Sequence, residues 1–128
     1  MSTVRREIVL PVERERAWEL LTESCELEAW LADEVEFSPQ EGAPVRAAWE
    51  DGEERAGAVE EVEPERRIRF VWTGTHDASE VEWTLADAVA GTRLLVVERR
   101  LAAYGPVAMA SFAPRLSALA RLAAACLA

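Results

Sequence analysis

Glu98 is the residue in this chain best placed to do chemistry. It lies in the run Thr92 to Leu101, the most apolar strand-like stretch, and alternates with Leu94 and Val96. Alternation turns Glu98 to the same side as those two residues, the inner side of a half-buried strand. A lone buried carboxylate is too costly to leave unpaired. Arg115 is the best available partner, because a guanidinium can hold a carboxylate with two hydrogen bonds. Glu98 and Arg115 can form a structural ion pair, or Glu98 can sit at a rim facing water. In the functional reading they are the polar end of a binding pocket.

Aromatic residues supply the apolar part of such a pocket. Trp49, Phe70, Trp72, Trp83 and Phe112 all fall at inward positions of their segments, and Val96 joins them. They make either an ordinary aromatic core or an apolar site with a few polar handles, the usual form of a small-molecule pocket. Ala47, Gly57 and Ala58 leave room that side chains or a ligand must fill. His76, the sole histidine, lies in a turn beside Asp77. It is an exposed loop residue or an acid–base group at the pocket mouth. No Ser/His/Asp or Cys/His set, metal-ligand spacing or phosphate loop occurs. The sequence therefore assigns no catalytic residue, no metal site and no cofactor.

The elements that position these residues follow from periodicity. Val4 to Leu10 alternates as a strand, and Pro11 ends it. VERERAWELLTE then shows an apolar stripe of Val12, Ala17 (or Trp18), Leu20 and Leu21. Ser24 is placed to cap a second short helix, CELEAWL, with Glu26 and Glu28 in its first turn, where the helix dipole favours acids. From there the pattern alternates through Val35–Phe37, Val45–Glu50, Glu53–Val62, RRIRFVWTG, Glu80–Leu85 and Thr92–Leu101. Asp51-Gly52 between two alternating runs predicts a two-residue type I′ hairpin. Six strands, each reversing onto the last, make an antiparallel meander. The first strand extends it to a seven-stranded sheet with one apolar face.

The run Pro106 to Ala128 predicts a long terminal helix. Phe112, Leu116, Leu119, Leu122 (or Ala123) and Cys126 recur at helical spacing, and 23 residues span about 35 Å. Pro106 suits the first turn. Pro114 either kinks the helix near Ala110 or marks its true start after an irregular segment.

Composition bounds the partners. The chain has 128 residues and a net charge of −10, and all 14 basic residues are Arg. That balance argues against nucleic acid, which needs a basic stripe. The last run carries Arg115, Arg121 and Pro114 and is mostly alanine, which argues against a membrane span. The N-terminus has no apolar core for a signal peptide. Cys25 and Cys126 read as two buried thiols in a reducing compartment. Together these features indicate a single cytoplasmic domain over residues 1–128.

Three stretches carry a family resemblance: IVLPVERERAWELLTESCELEAWL (Ile8–Leu31), EPERRIRFVWT (Glu63–Thr73) and GTRLLVVERRL (Gly91–Leu101). With Ala17, Trp18, Leu21, Thr22 and Trp30, they resemble the START-like, SRPBCC superfamily and its AHSA-type bacterial branch. The resemblance implies an α+β helix-grip fold of order β-α-α-β6-α. A seven-stranded curved antiparallel sheet would wrap a long C-terminal helix and leave a hollow between them. It also implies three functions: binding of a small apolar or aromatic ligand, an enzyme of the cyclase/dehydratase or hydrolase kind using Glu98, His76 or Tyr104, and a chaperone-interacting module. A homodimer is a further partner the sequence leaves open. Fold alone does not choose among these.

Overall fold

Alternating Val, Ile, Trp and Phe residues build the dominant layer, a seven-stranded antiparallel sheet of order β1-β7-β6-β5-β4-β3-β2. The computed structural model describes residues 3–74, 77–102 and Leu119. Its strands are β1 (Thr3–Leu10), β2 (Glu34–Glu36), β3 (Pro44–Ala48), β4 (Glu54–Glu63), β5 (Arg67–Thr73), β6 (Ala78–Ala88) and β7 (Gly91–Ala102). Two helices, α1 (Arg14–Thr22) and α2 (Ser24–Trp30), follow the first strand. Strands β2 to β7 pair in sequence order, and β1 closes onto β7 with Ile8 opposite Leu94. The predicted meander is therefore the observed one.

The inward parity also holds. Val45, Ala47, Ile68, Phe70, Trp72, Val81, Trp83, Leu85, Leu94, Val96 and Glu98 are all buried, and Trp49 is partly buried against the core. Helices α1 and α2 bury Ala17, Leu20, Leu21, Leu27 and Trp30 in this core, α1 against β6 and β7 and α2 against β2. Trp30 donates its indole N–H to the Leu20 carbonyl at 2.8 Å, so the α2 anchor satisfies its polar atom on α1. Leu119 is helical and fully buried in the same core, at a position of the predicted terminal stripe. The rest of that stripe, the Pro114 kink and Cys126 lie outside the described residues.

Four local expectations are corrected. The β3–β4 connection is not a two-residue type I′ turn. Gly52 N–H donates to Trp49 C=O at 3.0 Å and Trp49 N–H to Glu53 C=O at 2.9 Å, and of the turn residues only Gly52 has positive φ. This is a type I turn closed by a left-handed glycine, a longer loop that uses the same Asp-Gly pair. Ser24 is the first residue of α2 and not its cap. Its hydroxyl instead meets the backbone N–H and C=O of Phe37, both at 3.3 Å, tying α2 to the end of β2. Cys25 is exposed, because it falls on the wet side of that short helix. Finally, Ala58 points outward, and the space above Gly57 is occupied. A Cβ there would come within 1.7 Å of the Val71 carbonyl, so the missing side chain lets β4 and β5 approach closely.

Candidate functional site

One half of the inner face is aromatic. Trp49 packs edge-on to Trp72 (ring centroids 6.2 Å apart), Trp72 to Phe70 (5.1 Å) and Phe70 to Trp83 (5.1 Å). Trp30 from α2 and Phe37 close the Trp83 end. The sequence-predicted aromatics Trp49, Phe70, Trp72 and Trp83 therefore form one contiguous chain from the end of β3 across β5 to β6. Val96 lies opposite Trp83 and Glu98 opposite Val81 on β7. Phe112, Arg115, His76 and Tyr104 lie outside the described residues.

Beyond Trp72 the face turns polar. Arg55, Asp77, Glu98 and Arg100 are only 5, 7, 4 and 5 % exposed, and Ser79 is 1 % exposed. Register explains the gathering. Ser79 pairs with Trp72 on one side and with Arg100 on the other, and Glu98 is two residues from Arg100 on the same strand. A bulge at Leu101 lets Ala78 pair with Ala102 while Ser79 keeps Arg100. On β4, Arg55 stands opposite Ala47, whose small side chain leaves room for the guanidinium.

The Arg55 head is held in a defined way. Its Nη2 donates to both Asp77 oxygens, at 2.7 and 2.8 Å, and its Cζ lies 5.4 Å from the Trp72 ring centroid. Arg100 Nη2 lies 3.9 Å from Asp77, and Glu53 is 3.6 Å from Arg55 Nε. Gly74 closes the loop with its N–H on the Asp77 carbonyl at 2.8 Å. A Cβ on Gly74 would fall 3.3 Å from Arg55 Cζ, so glycine lets the backbone lie against the ion pair. A rim cleft of about 340 Å³, lined by Arg46, Glu54, Arg55, Ala56, Thr73 and Gly74, reaches the same arginine.

Two acids and two guanidiniums buried together are unusual for a fold element, because desolvation of each charge opposes folding. The sequence reading found Glu98 and missed Arg55, Asp77, Ser79 and Arg100. Arg100 was available by continuing the β7 alternation one step past Glu98. Arg55 and Asp77 are 22 residues apart, and no periodicity links them.

The outer face is different in kind. Arg67 bonds Glu61, Glu63 and Glu82, and Arg69 bonds Glu60 and Glu61, in a ladder open to solvent. Hydrogen bonding from Arg69, with the charges of both arginines, holds the Glu61 carboxyl below the ordinary 4.5. Such pairs keep the outer side of the sheet solvated and contribute little to stability individually.

Comparison with known proteins decides the family. The family model described as "Activator of Hsp90 ATPase homolog 1-like protein" matches residues 11–124. The chain belongs to this family. Solved structures of similar proteins share the fold of this AHSA1-family chain. Protein MLL2253 from Mesorhizobium loti superposes with a TM-score of 0.82 at 25% identity, covering 94% of this chain and 96% of that one. The AHSA1 protein SPO3351 from Silicibacter pomeroyi gives 0.77 at 21% identity, covering 97% and 99%. DynU16, from the dynemicin biosynthetic locus, gives 0.81 at 24% identity over 94% of this chain. The AHSA1-family chain spans 46% of DynU16, about half its length. No curated protein matches. Among the described residues, no helix is long and apolar enough to cross a membrane, and no cluster of potential metal ligands occurs.

Proposed function

We propose that this AHSA1-family protein binds a small, largely apolar or aromatic molecule between the inner face of the sheet and the C-terminal helix, and that it does so in the cytoplasm. One observation carries the reading: a face aromatic from Trp83 to Trp72 passes directly into the buried polar group Arg55, Asp77, Ser79, Glu98 and Arg100. Apolar contact plus a few placed polar groups is what a small-molecule site needs. The proposed lining is Trp49, Phe70, Trp72, Trp83, Val96 and Glu98, with Phe112 and Arg115 from the gripped helix. Native mass spectrometry of protein purified from its own host tests this. The expected result is the chain mass plus a small adduct lost in organic solvent. Bare chain alone, with no uptake of added aromatic compounds, overturns the reading.

A second reading, a cyclase-like enzyme in the same cavity, is favoured by the depth of Glu98 and by the fold shared with DynU16, whose locus is biosynthetic. Glu98 would then move a proton on the bound molecule. Turnover that depends on pH and disappears in Glu98→Gln, with binding retained, supports this reading. Binding without turnover leaves the carrier.

A further inference from the structure

Among the described residues, three buried polar atoms at the polar end of the inner face have no hydrogen-bond partner: Nη1 of Arg55, Nε1 of Trp72 and Oγ of Ser79. They come from three neighbouring strands, with Arg55 two residues along β4 from Gly57, the register partner of Trp72. Trp72 and Ser79 are register partners across β5 and β6, and the Arg55 guanidinium lies over the Trp72 ring. The Arg55 geometry explains its own vacancy, because Asp77 takes both its bonds from Nη2 and leaves the other terminal nitrogen unengaged. Burying such a group unpaired normally opposes folding, and folded proteins rarely leave several together.

All three can donate: a guanidinium and an indole N–H do nothing else, and a hydroxyl can turn its proton toward an acceptor. The group that satisfies them is therefore an acceptor, an oxygen with two lone pairs. Its charge follows from the surroundings. Asp77 faces Arg55 and Arg100, Glu53 approaches Arg55, and Glu98 is buried two residues from Arg100 on β7, so the two guanidiniums bring no excess positive charge. A neutral oxygen suits such a balance better than a full anion, whose desolvation no excess positive charge would offset.

Resting on the small-molecule reading above, we infer that Arg55, Trp72 and Ser79 form a donor site for the carbonyl oxygen of the bound molecule, whose apolar body lies along Phe70 and Trp83. The substrate class is an aryl or conjugated carbonyl compound. Recognition resides in the three donors, and Asp77 positions Arg55.

The test uses one carbon skeleton with three head groups: naphthalene, 1-acetonaphthone and 1-naphthylmethylammonium, titrated into the full chain by calorimetry. The ¹⁵N-labelled indole resonances are followed in parallel, with Trp72→Phe identifying the Trp72 signal. The expected result is that the ketone binds at least about tenfold tighter than naphthalene and shifts the Trp72 N–H resonance. Ser79→Ala should lower affinity for the ketone alone, by roughly three- to tenfold, without lowering the melting temperature, since it removes an unsatisfied hydroxyl. Equal affinities for ketone and naphthalene overturn the donor site and leave the pocket standing. Tightest binding of the ammonium overturns it in favour of acidic recognition. If Ser79→Ala lowers the melting temperature and leaves ketone affinity unchanged, the hydroxyl is structural and the inference fails. Failure of all three compounds to bind removes the pocket reading itself, and the inference with it.

Discussion

Arg55 on β4 holds both carboxylate oxygens of Asp77, across 22 residues of sequence, from one guanidinium nitrogen. This single pair ties the end of β4 to the loop entering β6 and orients the guanidinium over Trp72.

Removing either partner leaves the other charge buried. Arg55→Ala or Asp77→Ala should each destabilise by about 3–5 kcal/mol. A paired apolar replacement, Arg55→Met with Asp77→Leu, should recover most of that loss. Urea denaturation of the three variants measures it. Single-variant losses under about 1 kcal/mol would show that the pair is not desolvated in solution.

Two glycines separate backbone strain from collision. Gly52 has φ 94° with open space around its Cβ position, whereas Gly91 has φ 141° and a Cβ would lie 2.1 Å from the Leu10 carbonyl. Gly52→Ala should cost about 1 kcal/mol through φ alone. Gly91→Ala must also push β7 from the end of β1, and should exceed about 3 kcal/mol. Chemical denaturation ranks them, and equal losses would contradict the close approach.

Glu65 is the only non-glycine with positive φ among the described residues, at 61°, two places after Glu63 in a turn closed by Arg66 N–H to the Glu63 carbonyl at 2.9 Å. With Pro64 before it, this is a type II turn, whose third position suits glycine. Glu65→Gly relieves left-handed strain and gives back some of the gain as unfolded-state entropy. A net stabilisation of about 0.5–1 kcal/mol is expected, read as a raised melting temperature.

The outer ladder gives a pH signature. The folded pKa of Glu61 is lowered, first by its hydrogen bond from Arg69. Its contribution is therefore present above the unfolded value near 4.5 and is lost as pH falls through the lower folded value. Stability should decline on acidification below about 4.5, and Glu61→Gln should flatten that decline. Thermal melts between pH 3 and 6 check the sign. A steeper decline in the variant would reverse the assignment.

Removal of Arg115, the partner proposed for Glu98, separates binding from folding. Arg115→Ala should weaken uptake of an aromatic ligand more than it lowers the melting temperature. Equal loss of both would leave Arg115 only a structural role.

Much of the fold was legible beforehand because period-two alternation in a sheet with one buried face admits a single choice of inward residues. Phe70 and Trp72, then Trp83, then Leu94, Val96 and Glu98 were assigned by that rule, and all are buried. Tight local geometry was harder to read. Asp51-Gly52 marks a turn, but its length depends on where the β3–β4 ladder stops, and Ser24 chose Phe37 over its own helix because β2 brings that backbone within reach.

The sequence by itself determined the strand order of the meander, the aromatic face and the inward parity of Glu98, since each depends on neighbours a few residues away. Only the tertiary structure decided that Arg55, Asp77, Ser79 and Arg100 share one polar site. Their meeting depends on pairing register across four strands and on a loop, and charged residues follow no hydrophobic period that would reveal it.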